Sequence, residues 1–134
     1  MSMRLLGVDL GDKRTGLATG DTATGTVFPL DVLHVNRGDA LLKAVSNACS
    51  EHGVDAIVLG MPFNMDGTEG PRAELTRLFG STLSQATDLP VHYLDERLTS
   101  FEAEHRLRGQ RGGPGSDAVA AAILLEEFIS GKNH

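Results

Sequence analysis

The chain has one cysteine, no long apolar run and no excess of basic residues, and each shortage excludes a class of protein. Because Cys49 has no second cysteine to pair with, a disulfide within the chain is excluded, and its place beside Ala48 in a helical pattern predicts a small core residue. No stretch approaches the roughly 18 apolar residues of a membrane span, and no basic, apolar signal sequence opens the chain. We therefore expect a cytoplasmic protein without membrane contact.

The charge balance is acidic, since 12 Lys and Arg residues oppose 18 Asp and Glu residues and give a net charge of −6. Sequence-blind binding of nucleic acid usually requires a basic surface, so this balance argues against it. The net charge does not exclude a local basic patch, because residues 97–111 carry four arginines against two acids. The alternative for that segment is a solvated helix face.

The length of 134 residues fits one domain, which we expect to span residues 1–134. Three antiparallel strands come first, and Pro29 predicts an edge position or a bulge for the third of them. Two buried strands of a parallel set follow, each after a helix. The expected strands cover residues 4–9, 17–19, 26–33, 55–60 and 91–94, and the expected helices cover residues 39–52, a stretch from Pro71, residues 99–107 and a stretch from Ser116.

The first strand ends on a carboxylate, Asp9, and a tight turn between Gly11 and Gly16 follows it. Burial penalises the charged form of an acid by several kcal/mol unless a cation, a hydrogen-bond donor or solvent compensates, so Asp9 should lie where one of these reaches it. Lys13 and Arg14 lie at the same bend. The alternative is an acid that only caps the turn through its own backbone.

Two further stretches place acids near the same edge of the predicted sheet. The last strand runs into Asp95 and Glu96, and Asp117 falls in the first turn of the last helix. Helical spacing places Asp117 with Ala121 and later apolar positions on the inward side of that helix. The alternative is a first-turn acid that interacts only with the helix dipole. We expect Asp9, Asp117 and either Glu96 or Asp95 to converge at the carboxyl ends of the parallel strands.

Three converging carboxylates predict a bound cation, because like charges so close together raise each other's pKa. Oxygen ligands without His or Cys favour Mg²⁺ or Mn²⁺ over Zn²⁺. Carboxylates that hold one or two such ions beside arginines are typical of enzymes that hydrolyse phosphodiesters. The residues therefore predict a metal-dependent enzyme that hydrolyses phosphodiesters.

The loop that follows residues 55–60 is polar and contains glycine, and it lies at the carboxyl end of a strand, where open α/β sheets bind ligands. Asn64 in this loop and Arg72 at the start of the next helix are the predicted substrate contacts. For Asp66 and Thr68, hydrogen bonds within the loop are the alternative.

Four ordered motifs resemble the YqgF/RuvX family across nearly the whole chain: VDLGDKRTGLA, GMPFNMDGTEGPRAE, DERLTSFEAE and the D-x-x-AA of Asp117 to Ala121. Members of that family are described as Holliday junction resolvases and as nucleases that mature the 5′ end of precursor small-subunit ribosomal RNA. The resemblance implies an α/β fold of the ribonuclease H-like type, with a mixed five-stranded sheet, an antiparallel second strand and helices on both faces. It implies Mg²⁺ or Mn²⁺ as cofactor, and structured RNA or branched DNA, including ribosomal precursors, as partners.

The motif match also implies roles for single residues. The catalytic and metal-binding residues would be Asp9, Glu96 and Asp117. The residues facing substrate phosphate would be Lys13, Arg14 and Arg97. Whether Asp95 shares the role of Glu96 is left open. Family members usually carry a basic residue shortly before the last Asp, and because residues 112–116 lack one, Arg111 is the candidate substitute.

Two other functions stay open at this point. A binding protein with the same fold could act without cleavage, for instance at the ribosome, and the acidic net charge favours it. An Asp-x-Gly turn after a first strand also opens ATPase folds of the actin and sugar-kinase type, although those need a second, similar half. We expect a monomer or a homodimer. The dimer would be needed to cut a symmetric junction, because that takes two active sites.

Overall fold

The computed structural model describes residues 2–96 and 116–130, and its centre is a five-stranded sheet. The strands are β1 (Arg4–Asp9), β2 (Thr15–Asp21), β3 (Val27–Leu33), β4 (Ala56–Met61) and β5 (Val91–Asp95). The described helices are α1 (Asp39–His52), α2 (Pro71–Thr87) and α3 (Ser116–Ser130). None of these three helices is both long and apolar enough to cross a bilayer. The helix expected over residues 99–107 lies outside the described residues.

The strand order in the sheet is β3-β2-β1-β4-β5. β2 is antiparallel to both of its neighbours, whereas β1, β4 and β5 are parallel to one another. The expected mixed sheet with an antiparallel second strand is therefore confirmed. Parallel neighbours end at the same edge, so the carboxyl ends of β1, β4 and β5 lie side by side.

In the β2–β3 pair, β2 is longer than the sequence predicts, whereas the position and the irregular pairing of β3 agree with the prediction. β2 is longer than residues 17–19, because Gly16 and Gly20, which are weak strand formers, pair along β1. β3 is an edge strand, and its pairing with β2 shifts register between Leu17 and Ala18. Both the edge position and the bulge that Pro29 predicts are confirmed, since proline cannot donate to the ladder.

Large aliphatic side chains fill the face of the sheet that α1 and α2 cover. The helical pattern of α1 buries Leu41, Val45 and Cys49, and Gly53 ends the helix in the left-handed conformation, with φ of 58°. The expectation of Cys49 as a core residue is confirmed, and burial raises the pKa of its thiol to about 11. The partners of α1 on this face are Leu6, Val8, Leu17, Ile57 and Leu59 of the strands and Phe79 and Leu83 of α2.

The opposite face of the sheet packs against α3 and combines glycines and alanines with aliphatic side chains such as Leu5 and Val58. A Cβ on Gly7 would lie 2.6 Å from Leu125 Cγ and 2.8 Å from the Ala121 carbonyl oxygen, so glycine is required for this close approach. Ala121 and Ala122 of α3 are buried against the strands. Helices therefore cover both faces, as expected, and α3 lies near enough for its first turn to reach the strand ends.

Candidate active site

Three carboxylates lie at one edge of the sheet, at the carboxyl ends of the parallel strands. Asp9 ends β1, and Glu96 follows β5 directly, where its backbone N–H donates to the Met61 carbonyl at 3.2 Å. Asp117 approaches from the helical layer, because it is the second residue of α3. The sheet and α3 thus bring acids from three distant segments to the same edge.

Gly16 makes the approach of Asp117 to Asp9 possible. Gly16 pairs with Asp9 in the β1–β2 ladder, and a Cβ on Gly16 would overlap the carbonyl oxygen of Asp117. Any side chain at position 16 would push the first turn of α3 away from the sheet. Glycine at this position therefore sets Asp117 beside the strand that ends in Asp9.

Strand alternation separates Glu96 from Asp95. Asp95 pairs with Met61, on the face of the sheet that α1 and α2 cover. The Glu96 carboxylate lies over Gly60 instead, with Oε2 3.2 Å from the position that a Cβ on Gly60 would take. Gly60 belongs to the α3 face of the sheet, and so does Asp9. The geometry therefore favours Glu96 over Asp95 as the partner of Asp9.

The electrostatics of this edge set Asp9 apart from an ordinary surface acid. The pKa of Asp9 is raised to about 7, first by burial and then by the negative charges of Glu96 and Asp117, against a lowering by Arg72. Burial also raises the pKa of Glu96, with Arg72 opposing the rise and Asp95 adding to it. Ionising Asp9 is therefore more costly than ionising a surface acid, unless a cation stabilises the anion.

Two arginines bring positive charge to the three acids. Arg72, the second residue of α2, lowers the pKa of both Asp9 and Glu96 and so favours their anionic forms. Arg14, in the β1–β2 turn, forms an ion pair in which its Nε lies 3.4 Å from Asp117 Oδ2. Among the predicted substrate contacts within residues 2–96, Arg72 and Arg14 interact with these acids.

The β1–β2 turn forms the rim of an open pocket of about 470 Å³. The lining residues are Gly11, Asp12, Lys13, Arg14 and Asp117. The base of the turn is held in place, because the Gly11 N–H donates to Thr15 Oγ1 at 3.4 Å and Arg37 Nη2 lies 3.3 Å from Asp12 Oδ1. The two basic side chains of the turn remain exposed above this base.

The loop between β4 and α2 is held by its own hydrogen bonds. Asn64 Nδ2 donates to Thr68 Oγ1 at 3.1 Å, and the Asn64 backbone N–H donates to the Thr68 carbonyl at 2.9 Å. Thr68 Oγ1 in turn donates to Asp66 Oδ1 at 2.6 Å, so these two residues form the hydrogen bonds within the loop that were the alternative to a substrate contact. Asn64 thus has a structural role in the loop, and its contact with substrate stays a prediction.

Arg97 and Arg111 lie outside the described residues. Their contacts with substrate, and the basic patch expected over residues 97–111, therefore stay predictions. Lys13 is described and lies at the pocket rim.

One group of residues near the site was missed by sequence reasoning. Arg77 donates through Nε and Nη2 to the two carboxylate oxygens of Glu69, each at 2.6 Å, and its guanidinium lies 5.1 Å from the centre of the Tyr93 ring. The contact ties the end of the β4–α2 loop to the body of α2. Glu69 precedes the helix, so no helical periodicity relates it to Arg77, and opposite charge was the only signal in the sequence.

The donor chemistry of the site fits a hard divalent cation, because all three acids offer oxygen and their negative charges raise the pKa of Asp9. As the side chains are placed, however, residues 2–96 and 116–130 contain no group of three or more Asp, Glu, His or Cys side chains that could hold one ion. The Asp117 carboxylate is paired with Arg14 instead. The three acids thus interact electrostatically without forming a complete ligand set.

Comparison with known proteins identifies the family. The family model described as RuvX, Holliday junction resolvase, matches residues 3–131. The chain belongs to the RuvX family. A relative from Anaeromyxobacter sp. (strain Fw109-5), named "Putative pre-16S rRNA nuclease", is 42% identical over 98% of this chain and 99% of its own length. A relative of the same name from Anaeromyxobacter dehalogenans (strain 2CP-C) is 45% identical over 95% of this chain and 96% of its own length.

Solved structures of similar shape show the fold of this RuvX-family chain. Thermus thermophilus RuvC matches with a TM-score of 0.61 and 15% identity over 95% of this chain and 94% of that one. The fowlpox virus Holliday junction resolvase matches with a TM-score of 0.60 and 12% identity over 96% of this chain and 99% of that one. The expected ribonuclease H-like fold and the expected family are both confirmed.

Proposed function

We propose that this RuvX-family protein is a divalent-metal-dependent endonuclease that hydrolyses phosphodiester bonds in structured nucleic acid. Precursor 16S ribosomal RNA is the first candidate substrate, because relatives over 40% identical are named for it, and the Holliday junction is the second, because the family is described by it. The observation that carries the proposal is the convergence of Asp9, Glu96 and Asp117 at one edge of the sheet, where burial and the two neighbouring acids raise the pKa of Asp9. Such a cluster of acids costs stability unless a cation binds there.

The proposed ligands for Mg²⁺ or Mn²⁺ are Asp9, Glu96 and Asp117. When bound, the ion supplies Lewis-acid activation of the attacking water and neutralises charge on the leaving oxygen. Arg72 contributes by favouring the anionic forms of Asp9 and Glu96, in which they can act as ligands. In the overall reaction the water oxygen forms a bond to phosphorus while one phosphodiester P–O bond breaks.

Basic side chains are proposed to orient the substrate. The Arg14 side chain is 61% exposed, and a guanidinium can donate two parallel hydrogen bonds to one phosphate. Lys13 adds a point charge at the same rim. The proposed set of substrate contacts is Lys13, Arg14, Asn64, Arg72, Arg97 and Arg111.

A cleavage assay on a precursor 16S RNA fragment tests the proposal. Asp9→Asn should lower the cleavage rate at least about a hundredfold, because it removes a charged ligand and leaves the shape of the side chain. Asp39→Asn is the matched control, since Asp39 is an exposed acid in the first turn of α1, and it should cleave like the wild type. Chelation should abolish cleavage and added Mn²⁺ should restore it. Undiminished cleavage by Asp9→Asn would refute the role of Asp9.

A four-way DNA junction, assayed beside the RNA fragment, separates the two candidate substrates. Resolution of a symmetric junction needs two active sites, so a homodimer accompanies the DNA activity, whereas a monomer suffices for RNA. Sedimentation analysis of the same samples measures the oligomeric state. Action on ribosomal precursors would place the protein in the cytoplasm.

A second candidate is a protein that binds structured RNA or the ribosome without cleaving it, and it is favoured because the side chains of residues 2–96 and 116–130 form no complete set of metal ligands. RNA that binds and stays intact with both Mg²⁺ and Mn²⁺ would support this candidate over the nuclease.

A further inference from the structure

The ion pair between Arg14 and Asp117 joins two stretches of backbone that are themselves held in place. A hydrogen bond of 3.4 Å from the Gly11 N–H to Thr15 Oγ1 closes the turn that carries Arg14, and the Asp117 carbonyl packs directly on Gly16. The two side chains are less confined, because 61% of the Arg14 side chain and 26% of the Asp117 side chain is exposed. The pair can therefore separate without any change in the backbone.

An exposed pair of this kind is weak. Solvent screens the two charges, and the long arginine side chain loses rotamer freedom when it is held in one place. A divalent ion carries twice the charge and interacts with several carboxylates at once. Such an ion at the acid cluster competes successfully with one guanidinium for Asp117.

The guanidinium of Arg14 lines the same pocket as Asp117, so a guanidinium released from Asp117 is still within reach of that pocket. Lys13 and Arg14 border this pocket together with Asp117. Guanidinium groups bind phosphate through parallel hydrogen bonds, and a nucleic acid strand at the acids brings phosphates to the same pocket. The carboxylate and a substrate phosphate are thus alternative partners of one side chain.

We propose that Arg14 is an exchangeable counter-ion, which neutralises Asp117 before the metal binds and passes to a substrate phosphate once the metal has replaced it. The inference rests on the metal site proposed above. The exchange explains why the described side chains form no group of three metal ligands, although Asp9, Glu96 and Asp117 interact electrostatically. Metal binding and nucleic acid binding then favour each other, because each removes a competitor of the other.

Calorimetric titration with Mn²⁺, without nucleic acid, tests the exchange. Arg14→Gln removes the competing charge and should bind Mn²⁺ roughly two- to fivefold more tightly than the wild type. Lys13→Gln is the matched control, because it removes a positive charge from the same turn, and Lys13 forms no ion pair with Asp117 in the part of the chain that the structure describes. Its affinity should rise clearly less. Equal Mn²⁺ affinities in the two variants, or weaker binding by Arg14→Gln, would overturn the exchange.

The Nε–Hε resonance of Arg14 gives a second readout that does not depend on activity. It is assigned by its loss in Arg14→Gln, and it should move toward the shift of a solvated arginine as Mg²⁺ saturates the protein. A resonance that stays in place at saturation contradicts the exchange. If the wild type binds Mn²⁺ no more tightly than Asp9→Asn does, both the proposed metal site and this inference are overturned. If the wild type binds Mn²⁺ more tightly than Asp9→Asn, but Arg14→Gln and Lys13→Gln have equal affinities, the exchange alone is overturned.

Discussion

The two faces of the sheet are built from different kinds of residue. Large aliphatic side chains, among them Leu6, Ile57 and Leu59, fill the face under α1 and α2 and are fully buried there. The face under α3 is lined by glycines at positions where a Cβ would meet the helix or a side chain packed beside it. These positions are Gly7, Gly16, Gly20 and Gly60.

This difference gives the two faces different tasks. Each large side chain that becomes fully buried under α1 and α2 stabilises the fold by about 1.5–3 kcal/mol. Glycines contribute little to that sum, but they allow the short distance at which α3 places Asp117 near Asp9. The α1/α2 face therefore serves stability, whereas the α3 face, which also buries Leu5, Val58 and Leu125, additionally positions the candidate active site. Substitutions on each face can test this division.

The largest expected loss of stability follows a cavity on the α1/α2 face. Leu41→Ala should lower the free energy of unfolding by about 2–5 kcal/mol, because Leu41 is fully buried and the cavity cannot collapse completely. Cleavage per folded molecule should not change. Leu78→Ala on α2, where the side chain is 65% exposed, is the control and should barely alter unfolding. Chemical denaturation with parallel assays measures both. Lost activity in folded Leu41→Ala protein would contradict the division of tasks.

On the α3 face, the pH dependence of the free energy of unfolding should show what it costs to ionise Asp9 within the acid cluster. The raised pKa of Asp9, about 7, means that the folded state binds the Asp9 proton more tightly than the unfolded state does. Wild type should therefore lose stability relative to Asp9→Asn as the pH rises from about 4 to about 7, by on the order of 3 kcal/mol. Urea denaturation of both proteins across this range measures the difference.

Saturating Mg²⁺ at pH 8 supplies the control for the pH experiment. The ion should restore much of the lost stability in the wild type and little in Asp9→Asn, because it stabilises the ionised carboxylate. If the difference in stability between wild type and Asp9→Asn stays constant from pH 4 to pH 8, burial and the neighbouring acids do not raise the pKa of Asp9.

Local patterns predicted most of this fold, and contacts between distant segments account for what they missed. The bounds of α1 follow from helical spacing and from Gly53, which are both local, and the structure confirms them. The position of Asp9 at a strand end follows in the same way. The ion pair of Arg14 with Asp117, and the overlap that Gly16 avoids, depend on how closely α3 docks on the sheet. No local pattern encodes that distance.

Adding a methyl group at position 16, where α3 contacts the sheet, should separate effects on the candidate active site from effects on stability. Gly16→Ala should lower the free energy of unfolding by about 1–3 kcal/mol, because its Cβ overlaps the Asp117 carbonyl oxygen. Cleavage per folded molecule should fall by about tenfold to a hundredfold, since Asp117 moves away from Asp9. Gly20→Ala is the control on the same strand, where the new Cβ meets only side chains at 3.2 Å or more. It should keep its cleavage rate, and equal losses in both variants would contradict the positioning role.

The smallest expected effect lies at the contact of Glu69 with Arg77. Arg77 also lies over Tyr93, on the α1/α2 face, whereas Arg72, three residues after Glu69, acts on the acids of the α3 face. Glu69→Gln should leave the melting temperature almost unchanged, because the pair is exposed, but it should loosen the loop that precedes Arg72. We expect KM for RNA to rise roughly two- to threefold with kcat nearly constant. Steady-state kinetics measures this, with Glu74→Gln, an exposed acid in the first turn of α2, as the control. Equal KM values in the two variants would show that the α1/α2 face contributes to stability alone.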